Sequence, residues 1–223
     1  MDTRATPIER ITTAGSKTSD ADCAFDLILF AIGFDAATGA HNRIDLRGAG
    51  GLSLQDQWST GPRTLLGIQS VGFPNLFIGG GPQNATRFCN VPRCLEQNVE
   101  WVSATIRYMR EHQLTRIAAT TAAEAAWVEH VDETVADTLI PETDSWFMGA
   151  NIPGKQRAVL LYAGGLPTFR QKCAEVAAQG YAGFVLERSR ARRSWPARGD
   201  GRATIGVSIV LFAEPEPQRQ PPG

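Results

Sequence analysis

The sequence predicts an α/β fold built from short strands and three main helices, and two kinds of pattern support this. Nearly continuous apolar runs occur at residues 25–34 and 75–78, as expected for strands covered on both faces of a sheet. Apolar residues three and four positions apart occur after Pro92 and after Thr121. Such spacing places them on one face of a helix. The chain therefore mixes buried strands with amphipathic helices.

The composition is that of a globular protein with little net charge. The 223 residues include 22 Lys plus Arg and 23 Asp plus Glu, which favours neither nucleic acid nor a membrane as partner. The polar N-terminus has no secretory signal, and no run approaches the roughly 18 apolar residues of a membrane span. Four cysteines lack metal-ligand or disulfide-framework spacing; they are Cys23, Cys89, Cys94 and Cys173. We therefore expect a soluble cytoplasmic protein with free thiols and without metal, in which Cys89 and Cys94 are ordinary small apolar residues and an unusual thiol pair is the alternative.

The first third of the chain is predicted to contain one buried strand between less regular segments. Residues 1–20 are rich in Thr, Ser and charge without a sustained period, which predicts a loosely ordered segment. The apolar run at residues 25–34 then predicts a strand that Gly33 closes. Residues 42–72 alternate short apolar stretches with Gly, Pro, Asn and Ser, which favours short strands and turns.

The first two helices have recognisable starts and stops. Pro92 lies near the start of the first, where a missing N–H costs little, and Leu95, Val99, Val102, Ile106 and Met109 form its apolar stripe. Thr121 and Glu124 have the spacing of a capping box at the start of the second, and Pro141 stops it. Its predicted inward residues are Val128, Val131, Val135 and Leu139.

The third helix and the C-terminal residues complete the predicted elements. The helix is expected from Pro167 to Gln179, with Gly180 as a C-terminal cap. Residues 187–202 are rich in arginine, residues 203–213 predict a strand, and residues 215–223 are rich in Pro and Gln. A basic run of this kind is usually a solvated stretch.

A long loop at residues 145–155 precedes a strand-like run at residues 157–162. It contains Trp146, two glycines and a proline, and ends at Lys155. Glycines allow hinging and a Trp supplies a rigid surface, so the loop suits a lid over a ligand. On residue types alone, a packed surface loop is the alternative.

The string S-W-F-M-G-A-N-I-P-G-K in this loop closely resembles the S-W-x-x-G-A-N-[IV]-P-G-K segment of Baeyer–Villiger monooxygenases, the flavin enzymes that insert oxygen beside a ketone carbonyl. Residues 127–131, 160–165 and 181–186 are similar to the same family, and the resemblance spans residues 7–186. It implies the C-terminal portion of a flavoprotein with two dinucleotide-binding domains of the Rossmann type, one for FAD and one for NADP.

The resemblance also implies a division of the chain. Residues 1–34 would be a loose N-terminus followed by the last strand of the nicotinamide domain. Residues 35–186 would be the C-terminal half of the FAD domain with its NADP lid. Residues 187–223 match nothing in the family and would be an extension of unknown role. Near the first boundary, A-I-G-F-D resembles the family's A-T-G-F-D, with Ile32 in place of Thr.

Roles for individual residues follow from the same resemblance. For FAD it implies a contact at Val91, with Asn90 and Pro92 beside it. For NADP it implies Trp146, with weaker assignments to Asn151 and Lys155 in the same lid. For the substrate it implies the pocket residues Thr86, Arg87, Phe88 and Cys89. The last three are larger or more polar than usual in the family, so the resemblance does not fix the substrate range.

The glycine-rich turn before the first helix is weaker evidence by itself. Gly79, Gly80, Gly81 and Pro82 follow a strand and precede a helix, a geometry in which backbone N–H groups approach an electron-rich ligand. There is no G-x-G-x-x-G and no Gly-Lys-Ser/Thr, so a structural turn is the alternative. The three histidines form no H-E-x-x-H, and the catalytic residues stay unknown.

Three functions remain open. The first is an NADPH- and FAD-dependent Baeyer–Villiger monooxygenase that converts a ketone and O2 to an ester or lactone. The second is an N- or S-oxygenating flavin monooxygenase, which the long lid disfavours. The third is a non-enzymatic remnant or interaction module. Since the chain has no dinucleotide fingerprint, we expect it to be inactive and to hold FAD weakly or not at all, unless a missing N-terminal half joins it.

Overall fold

The computed structural model describes residues 2–3, 5–30, 35–85, 88–188 and 208–211. They form two compact units, Met1–Phe34 and Asp35–Gly223. Within the described residues there are four α-helices and seven short strands. The predicted mixed α/β class is confirmed, and no helix in the described part of the chain is long and apolar enough to cross a membrane.

The first unit is a three-stranded antiparallel sheet of β1 (Ile8–Thr12), β2 (Gly15–Thr18) and β3 (Asp22–Ala24). The prediction of a loose segment over residues 1–20 is therefore wrong. Thr18 explains part of the order, because its hydroxyl donates to Ala21 O and accepts from Ala21 N, both at 3.1 Å, and so closes the second turn. These strands are rich in Thr and Ser and lack an apolar alternation, so they gave no periodic signal.

The apolar run that follows β3 does not form the predicted buried strand. Residues 25–30 have no strand pairing, and Leu27 and Leu29 are 74% and 80% exposed. Residues 31–34, with the A-I-G-F part of the signature, lie outside the described residues. A strand that is apolar on both faces needs neighbours on its edges and covers on its faces. Phe25 N donates to Ala14 O at 3.1 Å and Ile28 is half-buried, but within the described residues the rest of the segment 25–30 is exposed and forms no ladder with a neighbouring strand.

The second unit begins with turns where short strands were expected. Between residues 42 and 72 the structure has one-turn 3-10 helices at His41–Arg43 and Ala49–Gly51, and the short helix α1 (Leu54–Gln57). The turns were predicted correctly and the strands were not; only isolated bridges occur, at Arg47 with Ser53 and Leu65 with Gln69. Gly50 and Gly51 explain this, because their φ angles of 68° and 82° break an extended path.

The strands of this unit form two small sheets. The predicted strand at residues 75–78 is confirmed as β4 (Leu76–Gly79), and it pairs in parallel with β7 (Ser208–Leu211). The strand prediction for residues 203–213 is thus confirmed within residues 208–211. An antiparallel pair, β5 (Leu114–Ala119) with β6 (Phe184–Arg188), forms the other sheet.

Helix α2 (Val91–Glu111) is confirmed, but part of its predicted inward face is wrong. Val99 is 47% exposed, whereas Val102 and Met109 are buried as expected. The buried face also carries polar residues; it consists of Cys94, Gln97, Asn98, Trp101, Val102, Thr105 and Met109. A search for an apolar stripe could not reveal this face, because the face includes amide side chains that are buried with their hydrogen-bond partners.

Helices α3 (Thr121–Ala136) and α4 (Gly165–Ala178) also match their predictions, with two corrections. The cap of α3 is Thr120, which accepts from Ala123 N at 3.2 Å, and Glu124 instead accepts from Val71 N at 2.8 Å. Leu139 lies beyond the helix and is 74% exposed. Gly180 follows α4 with a φ of 68°, as its capping role requires.

A large core joins α2, α3 and α4 through their aromatic side chains. Trp127 stacks on Tyr162 with ring centroids 5.2 Å apart, and Phe169 packs edge-on against Trp127 at 6.0 Å. The indole N–H of Trp101 donates to Cys173 O at 3.0 Å, and that of Trp127 to Gln83 O at 3.3 Å. Buried Trp N–H groups need such partners. The second of these bonds fixes the loop that follows β4.

Candidate functional site

Two segments predicted from sequence to approach ligands, the glycine-rich loop and the lid, are joined through a third segment by backbone hydrogen bonds. The strand-like run at residues 157–162 is an extended segment without regular strand assignment, and it lies between the other two. On one side Gln83 N donates to Leu160 O at 3.0 Å and Tyr162 N to Asn84 O at 3.3 Å. On the other, Leu160 N donates to Phe147 O at 2.9 Å. The glycine-rich loop and the lid are thus two flanks of one structure.

The glycine-rich loop is tied to helix α2 by Asn98, a residue that sequence reasoning missed. Its side-chain oxygen accepts from Gly80 N at 3.1 Å and from Asn84 Nδ2 at 3.0 Å, while its amide nitrogen donates to Cys94 O at 3.0 Å. Asn98 is 1% exposed. Buried amides in native proteins are paired in this way. The only signal was a pair of amides, Gln97 and Asn98, on the face that packs inward.

Packing explains the glycine at position 81 without reference to a ligand. A Cβ there would stand 2.5 Å from Ile78 Cγ2 and 3.1 Å from Gly67 O. Gly67, with a φ of 62°, is equally constrained, since its own Cβ would stand 2.6 Å from Asn84 N. Close packing of the loop against neighbouring residues of this chain therefore accounts for these glycines, and this packing makes the loop rigid.

The start of α2 presents an open helix N-terminus. Asn90 is the N-cap, and its side chain accepts from Arg93 N at 3.4 Å, while Cys94 N donates to Asn90 O at 3.2 Å. Pro92 has no N–H, so Val91 carries the first-turn donor that the cap does not take up. Val91 is 42% exposed. The N-terminus of a 21-residue helix carries partial positive charge and favours an electron-rich group.

The segment before α2 differs from its prediction at one cysteine. The structure pairs Cys89 with Cys94 in a disulfide with Cα atoms 6.7 Å apart, so the expectation of free thiols is wrong for these two, and Cys23 and Cys173 are free. Helical side chains lean toward the helix N-terminus, which brings Cys94 back toward the residue before the cap. Thr86 and Arg87 lie outside the described residues.

Phe88 brings the predicted substrate segment into contact with the lid. Its ring centroid lies 5.7 Å from that of Phe147, and the Phe147 ring lies 4.2 Å from Trp146. Phe88 and Trp146 are 48% and 36% exposed. The three rings form a partly exposed aromatic surface beside the start of α2. Sequence reasoning named Phe88 and Trp146 but missed Phe147, whose only signal was its place next to Trp146.

The lid has a fixed base and an exposed tip. A one-turn 3-10 helix, Trp146–Met148, ends at Gly149 with a φ of 69°, and Met148 is buried in the core. Asn151 is exposed at the tip. Lys155 forms an ion pair with Asp35 and donates to Ala36 O at 3.3 Å. The lid therefore places Trp146 with the aromatic surface, while Lys155 is engaged by another part of the unit.

The titratable groups with the largest pKa shifts, Cys173 and His41, are buried structural groups. Burial raises the pKa of Cys173 to about 12 and raises that of Tyr162, whose hydroxyl lies 3.3 Å from His130 Nε2. Burial lowers the pKa of His41 to about 4, against the opposing effect of its hydrogen bond to Ala37 O. Among the described residues, no three His, Cys, Asp or Glu side chains are grouped to hold a metal. The arrangement suits the binding of an electron-rich, planar ligand.

Comparison with known proteins identifies this arrangement, although no protein-family model matches the chain. Cyclopentanone 1,2-monooxygenase of Comamonas sp. (strain NCIMB 9872) is 42% identical over 186 residues, which are 83% of this chain and 34% of that protein. The closed crystal structure of cyclohexanone monooxygenase is 41% identical, with a TM-score of 0.77 over 85% of this chain and 35% of that one. The chain matches the C-terminal part of the Baeyer–Villiger flavin monooxygenases.

Two further proteins are similar to this chain. A crystal structure of OTEMO in complex with FAD and NADP is 41% identical, with a TM-score of 0.74 over 83% of this chain and 34% of that chain. Phenazine N-monooxygenase of Lysobacter antibioticus is 40% identical over 181 residues, 81% of this chain and 33% of that protein. The chain thus spans about a third of the length of the relatives that it matches.

Proposed function

We propose that this chain forms the C-terminal part of the flavin site, and the nicotinamide lid, of an NADPH- and FAD-dependent Baeyer–Villiger monooxygenase. The reaction inserts one oxygen atom of O2 beside a ketone carbonyl and gives an ester or lactone. One observation carries the proposal: the loop after β4 is hydrogen-bonded to α2 through Asn98 and to the lid through residues 160–162, in a chain 41% identical to a relative crystallised with FAD and NADP.

The start of α2 is the proposed flavin contact. The N–H of Val91 and the positive end of the helix would face the electron-rich edge of the flavin ring, with Asn90 and Pro92 shaping the turn. Donors fixed in place before the reaction stabilise negative charge more than mobile water does. Bound flavin supplies the redox and oxygen chemistry; the residues of this chain orient it and hold its charge.

The lid is the proposed nicotinamide contact. Trp146 would lie over the nicotinamide ring, with Asn151 near the cofactor, and the closed lid would keep water from the reacting groups. Phe88 and Cys89, together with Thr86 and Arg87, would shape the ketone pocket. Because Phe88 contacts Phe147, the lid would also form part of the wall that the ketone meets.

The proposed activity needs groups that this chain does not contain. No G-x-G-x-x-G occurs in its 223 residues, and the described part of the site has no candidate for an acid, base or nucleophile. We therefore propose residues 1–34 as a piece of the nicotinamide domain, residues 35–186 as part of the FAD domain, and residues 187–223 as an extension. An N-terminal half with the dinucleotide motifs would supply these groups, and we propose that residues 1–223 alone are inactive.

Reconstitution tests this proposal. The chain would be co-expressed with the part of cyclopentanone 1,2-monooxygenase that it does not match, and NADPH oxidation would be followed with a panel of ketones. Ketone-dependent NADPH oxidation with ester or lactone product supports the proposal. A soluble, flavin-containing complex that forms no such product contradicts it. The chain without its partner serves as the control.

A second candidate is oxygenation at nitrogen. It is favoured by the 40% identity to phenazine N-monooxygenase, which is close to the identity to the ketone-oxidising relatives. The same complex would be assayed with nitrogen heteroaromatics in place of ketones. N-oxide formed without ester or lactone would replace the first proposal by the second.

A further inference from the structure

Lys155 at the end of the lid reaches out of the lid to a shielded carboxylate. Its ammonium group contacts the Asp35 carboxylate and donates to Ala36 O at 3.3 Å. The two side chains are only 15% and 29% exposed, whereas those of the pair Arg157 and Asp144, which also flanks the lid, are 40% and 78% exposed. Water and salt screen exposed charges strongly. The Asp35–Lys155 pair is therefore the stronger constraint.

The path of the Lys155 side chain links this pair to the turn that carries Trp146. A Cβ on Gly149 would lie 3.2 Å from Lys155 Cε and 3.4 Å from its Cδ, so the aliphatic stem crosses directly over Gly149. Gly149 ends the Trp146–Met148 turn, and its N–H donates to Trp146 O at 3.1 Å. The ion pair that holds the ammonium group therefore also packs the aliphatic stem of Lys155 against the end of this turn.

Asp35 is fixed before it meets the lysine. Its side chain accepts from Thr38 Oγ1 at 3.5 Å, and its carbonyl accepts from Gly39 N at 3.2 Å. Gly39 packs so closely that an added Cβ would stand 2.6 Å from Asp35 Cβ. The carboxylate is therefore a rigid anchor on a local turn, which reduces the entropy lost when the pair forms.

Two backbone hydrogen bonds shape the lid tip. Ile152 N donates to Gly149 O at 3.4 Å, and Lys155 N donates to Ile152 O at 3.2 Å. Both bonds stay within the lid. By contrast, the Lys155 side chain contacts Asp35, which lies 120 positions earlier in the sequence.

We propose that Asp35 is a positioning residue of the lid: through Lys155 it holds the turn that carries Trp146 in its closed place. Lys155 then contributes to the lid by anchoring it. What the lid covers rests on the proposed function. The anchorage itself exists without cofactor, so it can be tested, and can fail, independently of that function.

Hydrogen–deuterium exchange of the full 223-residue chain tests this anchorage. Asp35→Asn and Lys155→Met should each speed exchange of the amides at residues 146–155 by about five- to tenfold, and the double variant should be no faster than either single one. Asp35→Glu keeps the charge and should retain most of the protection. The swapped pair, Asp35→Lys with Lys155→Asp, should recover part of it.

Asp144→Asn, at the exposed pair, is the matched control and should leave exchange at residues 146–155 within about twofold of the wild type. The proposal is overturned if Asp35→Asn leaves the lid amides unchanged, if the double variant is faster than both single variants, or if the control accelerates the lid as much. It is also overturned if exchange speeds up equally in α3, since the pair would then stabilise the whole unit and not the lid.

Discussion

The two flanks of the candidate site are held in different ways. The loop after β4 is fixed by buried amides, by glycines that no side chain could replace, and by an indole N–H from α3. The lid is held by the buried Met148, an aromatic contact, a shielded ion pair and a short backbone ladder. The comparison indicates a rigid base that fixes the start of α2 and a lid whose tip is more exposed. Enzymes that must admit and then enclose a cofactor need both a fixed base and a lid.

The largest effect is expected from breaking the rigid base at Asn98. Asn98→Leu would leave Gly80 N–H and the Asn84 amide without their acceptor in a buried place, so the free energy of unfolding should fall by about 3 kcal/mol. Urea denaturation measures it. Val99→Ala, at the exposed neighbouring position of α2, is the control and should cost under about 0.5 kcal/mol. A similar small loss for both variants would mean that Asn98 does not hold the base.

An acid-dependent effect is expected at His41, beside the turn that anchors the lid. Its folded pKa of about 4 lies below the 6.5 of an unperturbed histidine, so the unfolded chain takes up the proton first as the pH falls. Its contribution is therefore complete above pH 6.5 and is lost toward pH 4. Between pH 7 and pH 5 this loss amounts to about 2 kcal/mol.

Denaturation at both pH values checks the effect. His41→Phe should remove this part of the pH dependence, whereas His112→Gln, at an exposed histidine, should leave it in place. An unchanged slope in His41→Phe would show that other groups cause the acid sensitivity.

The contact between the two flanks should have a modest coupling energy. Phe88→Ala and Phe147→Ala should each destabilise the chain, and the double variant should cost about 1 kcal/mol less than their sum. A double-mutant cycle by urea denaturation measures this coupling. Strict additivity would show that the lid and the segment before α2 are independent.

The smallest effect on stability is expected at Trp146, although it has the clearest role in the proposed function. The ring is more than a third exposed, so Trp146→Ala should change the free energy of unfolding by under about 1 kcal/mol. In the reconstituted complex the same variant should uncouple NADPH oxidation from product formation. Unchanged coupling would remove Trp146 from the cofactor site, and a large loss of stability would make it a structural residue.

The sequence predicted the elements with strong local signals and missed those whose order comes from contacts. Periodic apolar residues and capping residues predicted helices α2, α3 and α4, and an apolar run predicted strand β4. The polar strands of the first unit have no such pattern. Residues 25–30 have the apolar pattern of a buried strand, but the described structure forms no strand there. The inward face of α2 was misplaced at Val99, because Gln97 and Asn98 are polar yet buried.

Prediction of the candidate site from sequence had the same limit. A motif drew attention to Trp146, Val91 and the residues near Phe88, and the structure brings their segments together. No local pattern could show that Asn98 accepts from the glycine-rich loop or that Lys155 reaches Asp35, because these contacts join residues far apart in sequence. The Cys89–Cys94 pairing was missed for a local reason, since it depends on where α2 begins.

The most direct test of the account is FAD binding by two variants at one position of the reconstituted complex. Val91→Pro removes the N–H at a helix position that tolerates proline, while Val91→Ala keeps it. We expect flavin absorbance titrations to show about tenfold weaker FAD binding for Val91→Pro and near wild-type binding for Val91→Ala. Equal FAD affinity in the two variants would contradict the claim that the start of α2 holds the flavin.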